Sequence, residues 1–217
     1  MNSIVIVAGG KGLRMGNDIP KQFLLLNNKP ILMHTIEKFH SWDSKCEIIL
    51  VLPESQHNYW NSLCEEQQFN IPLKITTGGE TRFHSVKNGL NIATGDIIGI
   101  HDGVRPLVSH DTISLCFNTA KQKGNAIPCI PVNDSLRKAE KNSNKMVERS
   151  LFFRIQTPQV FQSDIINKAF NLPFSENFTD DASVIESNGQ SVILVEGNEE
   201  NIKITRPVDL KIASVFI

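Results

Sequence analysis

The stretch SIVIVAGGKGLRMG, residues 3–16, decides how the rest of the chain is read. Its first half, SIVIVA at 3–8, is an unbroken aliphatic run that stops at two glycines, the pattern of a buried strand ended by a turn. A strand without polar alternation belongs in the middle of a sheet covered on both faces. In the second half, glycines at 9, 10, 12 and 16 lack the Cβ atoms that would keep a polyphosphate away from backbone N–H groups. Lys11 and Arg14 add cations to the same loop, and PKQ at 20–22 adds Lys21. The loop is neither GxxxxGK(S/T) nor GxGxxG, so neither the Walker nor the dinucleotide fingerprint applies. Plain turn chemistry accounts for such glycines equally well, so the loop alone leaves both readings open.

Outward from this stretch, strand-like runs recur at 47–52, 73–77, 96–101, 125–131 and 191–195. Between them the spacing predicts helices over 29–40, 55–67, 80–94, 110–123, 163–170, 180–187 and 207–216. The first of these places Ile31, Leu32, Thr35, Ile36 and Phe39 on one face. Strands alternating with helices imply right-handed crossovers and an α/β fold, a mainly parallel twisted sheet with helices on both faces. Residues 133–150, NDSLRKAEKNSNKMVERS, break the alternation: they carry little core material and centre on NSN at 142–144, as a projecting polar hairpin would. The chain is therefore expected to be one domain, 1–217, with 133–150 as an appended arm.

Composition bounds the function. The 217 residues are 40% hydrophobic and 21% charged with a formal net charge of −1, ordinary for a soluble globular protein. No basic run supplies the field that duplex nucleic acid requires, although a single nucleotide needs only a few cations. Cys46, Cys64, Cys116 and Cys129 form no CxxC pair and read as buried small hydrophobes in a reducing compartment. MNSIVIVAGG is too short and unflanked for a signal peptide, and no apolar run reaches the length of a membrane span. A cytoplasmic location and no membrane partner are expected.

Further motifs carry candidate chemistry. HDGVRP at 101–106 follows a strand, and ligands of such sheets bind outside the carboxyl ends of strands. There Asp102 suits Mg²⁺ or a substrate hydroxyl and Arg105 an anion, while an Asp–Arg turn is the bland alternative. His101 reads as a packed strand residue rather than a base. In GGETRFHSVKNGL at 78–90, Glu80 or Thr81 suits a helix cap, and Ser85 with the loop backbone suits a base edge. NIKITRP at 201–207 offers Lys203. QTPQVF at 156–161 and FTDDAS at 178–183 offer Thr157, Thr179 and Asp180, the last also a simple N-cap.

Taken in order from residue 8 to 207, these motifs are more specific than any one of them. Together the sequence resembles the 2-C-methyl-D-erythritol 4-phosphate cytidylyltransferase family. The resemblance implies a Rossmann-like nucleotidyltransferase fold, CTP as co-substrate, Mg²⁺ as cofactor and a homodimer clasped by a β-arm. It implies that Ala8, Gly9, Gly10 and Gly12, with Gly79, Glu80 and Ser85, surround the nucleotide. By the same resemblance Arg14, Lys21 and Lys203 are the catalytic cations on the triphosphate. Asp102, Arg105, Thr157 and Thr179 meet the methylerythritol phosphate, and Ser135 and Arg149 reach its phosphate from the arm of the other subunit. Asp102 is also the metal-ligand candidate, with Mg²⁺ held mostly by the CTP phosphates. The sequence departs from the family's usual residues at Gly9, Glu80 and Ser135, without losing a charge or a hydroxyl. The N-terminal part resembles ribitol-5-phosphate cytidylyltransferase almost as well. A nucleotide-binding sensor without turnover is the alternative from another class.

Overall fold

The computed structural model describes residues 1–10 and 19–217. Gly12 and Arg14, two of the expected site residues, lie outside the described residues, as does Lys11. From β1 (Asn2–Val7) the described chain resumes before a 3-10 turn at Lys21–Phe23 and a small hairpin, β2 (Leu25–Leu26) and β3 (Lys29–Pro30). There follow α1 (Ile31–Trp42), β4 (Glu47–Leu52), α2 (His57–Glu66), β5 (Lys74–Thr77), α3 (Arg82–Leu90), β6 (Ile97–Asp102), α4 (His110–Lys123) and β7 (Asn125–Pro131). The second half contains β8 (Leu136–Glu140), β9 (Ser143–Val147), β10 (Phe153–Ile155), β11 (Gln159–Gln162), α5 (Ser163–Ala169), α6 (Asp181–Ser187), β12 (Leu194–Glu196) and α7 (Pro207–Ala213).

β1 is central, as its apolar run predicts. It pairs parallel with β4 on one side and β6 on the other, and β5 continues the parallel set beyond β4. Successive residues of these strands face opposite layers: Ile4, Ile6, Ile48, Leu50 and Leu52 pack in one core with Phe39, Trp60 and Phe117. Val5, Ile49 and Val51 pack in the other with Phe83, Val86 and Phe161. A smaller apolar cluster joins Leu26 and Ile31 to Val104, Ile204 and Ala213, seating α7 near the segment that bears Lys203.

Beyond β6 the sheet is mixed. β11 runs antiparallel between β6 and β7, and β10 is antiparallel to β7, while β12 pairs with β7 parallel. The short FRI and QVFQ segments have no period of their own, and long-range pairing makes them strands. The strand expected at 191–195 is shifted to Leu194–Glu196, the residues that match Ile127–Cys129 of β7. The helix expected over 80–94 starts later, because the Thr81 hydroxyl accepts from the His84 N–H and makes Arg82 the first helical residue. The helix expected to run to 216 ends at Ala213. The β2–β3 turn is Asn27–Asn28, both with positive φ (48° and 65°), as a two-residue hairpin turn demands.

Residues 136–147 form an antiparallel hairpin in which β8 and β9 pair only with each other, outside the main sheet. Its turn is at Lys141–Asn142, one residue before the expected NSN. At its base the Arg149 guanidinium donates to the Asn133 carbonyl. Apolar side chains are exposed along this region, among them Met146, Leu151, Phe152 and Phe153.

Candidate active site

A cleft of about 280 Å³ opens at the carboxyl ends of the parallel strands. Ala8, Gly9 and Gly10 form one wall, directly after β1. Gln22, the buried residue next to Lys21, donates from Nε2 to the Ala8 carbonyl at 2.7 Å and to Gln56 Oε1 at 2.8 Å. That bond ties the 3-10 turn to the end of β1 and sets Lys21 against the loop. A Cβ built on Gly10 would lie 3.4 Å from Lys21 Cε and 3.9 Å from its Nζ.

The facing wall is Gly78, Gly79 and Glu80 with the start of α3. Gly79 is required there by close approach, since a Cβ would lie 2.4 Å from His84 Cβ. The Ser85 hydroxyl accepts from the Gly79 N–H at 3.0 Å and donates to the Thr81 carbonyl at 3.0 Å. Ser85 lines the cleft and shapes the loop at the same time.

At the back stands Asp102, the last residue of β6. Its carboxylate is contacted by three cations: Lys203 Nζ at 3.0 Å, Arg105 Nε at 3.2 Å and Arg82 Nε at 3.7 Å. Burial opposes ionisation of Asp102, but Lys203, then Arg82 and Arg105, outweigh it and hold the carboxyl well below the usual carboxylate range. Arg82 also forms a bidentate pair with the buried Asp181, Nη1 and Nη2 each 2.7 Å from a carboxylate oxygen. Burial disfavours its charge, and Asp181 and Asp102 more than restore it, so Arg82 stays protonated. Three cations thus meet Asp102, and Asp181 neutralises one of them.

A metal fits Asp102 poorly. Both oxygens already face cations, and among the described residues no group of three or more His, Cys, Asp or Glu is arranged to hold an ion. The expected metal ligand is therefore better described as the counter-ion of the cation cluster.

Behind Asp102 lies a buried polar chain. The Asp102 N–H donates to Thr157 Oγ1 at 3.2 Å, the Thr157 hydroxyl donates to His101 Nδ1 at 3.0 Å, and His101 Nε2–H donates to the Arg105 carbonyl at 3.0 Å. This order requires the Nε2–H tautomer. Burial lowers the His101 pKa to about 4, so the ring is neutral at physiological pH. His101 is thus a packed strand residue, as read from sequence. Thr157, expected at the acceptor, is buried with its hydroxyl engaged in this chain and is absent from the cleft lining.

Thr179 is exposed beside the Asp180 N-cap of α6, its N–H donating to Ser183 Oγ at 3.0 Å. Ser135 and Arg149 lie at the hairpin and do not line the cleft of the same chain. The structure thus brings together Ala8, Gly9, Gly10, Lys21, Gly79, Glu80, Ser85, Asp102 and Lys203 in the cleft, with Arg105 supporting Asp102. Arg82 and Gln22 are absent from the sequence expectations; their only signal in the sequence is their place in GGETR and PKQF.

The family model described as IspD: 2-C-methyl-D-erythritol 4-phosphate cytidylyltransferase matches residues 2–217. The chain belongs to this family. Cytidylyltransferases of that name from Bacteroides fragilis and Phocaeicola vulgatus are each 52% identical to it, over 214 and 215 residues. Those alignments cover 98% and 99% of this chain and 98% of each relative. The crystal structure of the 2-C-methyl-D-erythritol 4-phosphate cytidylyltransferase of Francisella tularensis superposes with a TM-score of 0.82 at 32% identity, covering 100% of both chains. The α/β nucleotidyltransferase fold of the cytidylyltransferase family is therefore the fold of this chain, mixed sheet included.

Proposed function

We infer that this chain transfers CMP from CTP to 2-C-methyl-D-erythritol 4-phosphate, releasing pyrophosphate. The observation that carries the reading is the cation cluster on Asp102, set in one cleft with two glycine turns and Lys21. A family match over residues 2–217 supports the same chemistry and favours neither ribitol 5-phosphate as acceptor nor a sensor without turnover.

The attacking group is a phosphate monoester, whose second pKa near ~6 leaves it largely dianionic at neutral pH. It needs no general base, and among the described residues lining the cleft there is no histidine or cysteine. What the reaction needs is alignment and relief of repulsion between two anions. In this reading Ala8, Gly9, Gly10, Gly79, Glu80 and Ser85 hold the nucleotide. Lys21 and Lys203 stabilise charge growing at the α-phosphorus and on departing pyrophosphate. Asp102 and Arg105 orient the acceptor. Lys203 lies on Asp102 at 3.0 Å and, 41% exposed, is free to exchange that carboxylate for a phosphate oxygen. Remaining charge on the triphosphate would be neutralised by Mg²⁺ bound with the nucleotide.

We place Ser135 and Arg149 at the acceptor phosphate of a second subunit, with the hairpin as the clasp of a homodimer. The exposed Leu151, Phe152 and Phe153 beside the hairpin give such an interface its apolar part. A cytoplasmic setting agrees with four free cysteines and with the absence, among the described residues, of a helix long and apolar enough to cross a membrane. The test is pyrophosphate release from CTP and Mg²⁺ with 2-C-methyl-D-erythritol 4-phosphate, run beside ribitol 5-phosphate. Selective turnover of the first is expected. Turnover only of ribitol 5-phosphate moves the acceptor, and release with neither overturns the reading.

A further inference from the structure

Asn201 lies outside the cleft, yet it is bonded to Arg105 and to the backbone of Thr157. It is fully buried in the segment between β12 and α7, two residues before Lys203. Its side-chain Nδ2 donates to the Thr157 carbonyl at 2.8 Å, and its backbone carbonyl accepts from Arg105 Nη1 at 2.7 Å. Gln156 braces the same segment, its Nε2 donating to the Asn198 carbonyl at 2.8 Å. The packing is close at Gly197, where a Cβ would lie 2.2 Å from Gln156 Oε1 and 3.3 Å from the Cys129 carbonyl.

The amide is only half satisfied: Asn201 Oδ1 is buried without a hydrogen-bond partner. A buried, unpaired acceptor opposes folding and offsets part of what the Nδ2 bond to the Thr157 carbonyl contributes. What asparagine supplies here is geometry. One residue joins the middle of the β10–β11 connection to the Arg105 guanidinium and the backbone that bears Lys203, with its two bonding partners 44 and 96 positions away. Arg105 in turn contacts Asp102.

We propose that Asn201 is a positioning residue that holds Arg105, at the acceptor, and Lys203, at the α-phosphate, in register with Asp102. This rests on the assignment of Asp102 and Arg105 to the acceptor. The nucleotide walls, at Gly9–Gly10 and Gly79–Ser85, are built from other segments and are independent of Asn201.

The experiment compares Asn201→Ala, Asn201→Ser and Arg105→Ala with the natural protein, measuring kcat and the KM for each substrate by pyrophosphate release. Both Asn201 variants are expected to raise KM for 2-C-methyl-D-erythritol 4-phosphate about tenfold and to lower kcat, with KM for CTP within about twofold. In a Lys203→Ala, Arg105→Ala background, Asn201→Ala is expected to add less than about twofold, since its effect runs through those groups. Equal rises in both KM values, unchanged kinetics in a folded variant, or failure of both variants to fold would each overturn the proposal. If Arg105→Ala raises KM for CTP instead, the acceptor assignment itself has failed, whatever Asn201 does.

Discussion

Replacing Asp102 by asparagine keeps the shape of the residue and removes the negative charge that Lys203, Arg105 and Arg82 share, leaving Asp181 on Arg82 alone. Lys203, Arg105 and Arg82 then face one another across a buried amide, with Lys203 3.0 Å and Arg105 3.2 Å from the altered group. Breaking a buried ion pair by removing one partner costs about 3–5 kcal/mol. Lys203 is 41% exposed and recovers much of its hydration, and pairs of that kind contribute about 1 kcal/mol or less, so the lower end applies. A loss of about 3 kcal/mol corresponds to a fall in Tm of roughly 6–12 °C for a chain of this size. The same deletion leaves an anion site without its internal competitor, so added pyrophosphate should stabilise the variant more than the natural protein. The assay is thermal unfolding at pH 7.5 with and without millimolar pyrophosphate, alongside turnover. We expect lower Tm, a larger pyrophosphate shift and turnover reduced at least about tenfold. An unchanged Tm, or equal pyrophosphate shifts in both proteins, would refute the picture of Asp102 as the counter-ion of the cluster.

Other outcomes follow from the same geometry. His101 has its pKa lowered to about 4 from 6.5, so its contribution is complete above about pH 6.5 and is lost as pH falls toward 4. The loss approaches roughly 3 kcal/mol at pH 4; urea midpoints between pH 7 and 4 should fall more steeply for the natural protein than for His101→Gln, and parallel curves would count against the buried neutral ring. Lys21→Ala should lower kcat at least about tenfold, roughly 1.4 kcal/mol of transition-state stabilisation, with an intact circular-dichroism spectrum; near-normal turnover would remove Lys21 from the reaction. Arg149→Ala should raise KM for the phosphate acceptor more than KM for CTP, and equal rises would sink its assignment to the acceptor phosphate.

The readable parts of this fold are those whose causes are local. β1 follows from an unbroken apolar run, and α4 occupies His110–Lys123 as expected because Ser109 caps one end and Gly124, at φ 100°, closes the other. Asp102 and the glycine turns are legible because each follows a strand-like run whose end faces the cleft, and Lys203 because it stands among polar neighbours just before the last helix. β10 and β11 were illegible, being three and four residues long and defined only by partners elsewhere in the sheet. Arg82 was overlooked for a related reason: its fixed position comes from Asp181, 99 residues away, and nothing in GGETR foretells that partner. Thr157 shows the reverse. A hydroxyl in QTPQ invites a substrate role, yet folding engages it with His101 and the Asp102 N–H.

The reversed strand β11 has a consequence for how the protein tolerates change. Parallel strands point their last residues toward the cleft end of the sheet, whereas β11 points its first, because Gln159 pairs with Ile100 near the end of β6. A late portion of the polypeptide thereby stands behind Asp102, where Thr157 accepts from its N–H, without any crossover helix between β10 and β11. Slipping β11 by one residue would exchange the faces presented by Val160 and Phe161 and carry Thr157 away from His101. Insertions should therefore be accepted in the hairpin at 141–142 and rejected between 156 and 162, so that length variation, like a ruler laid along the chain, marks which connections hold the rim in alignment.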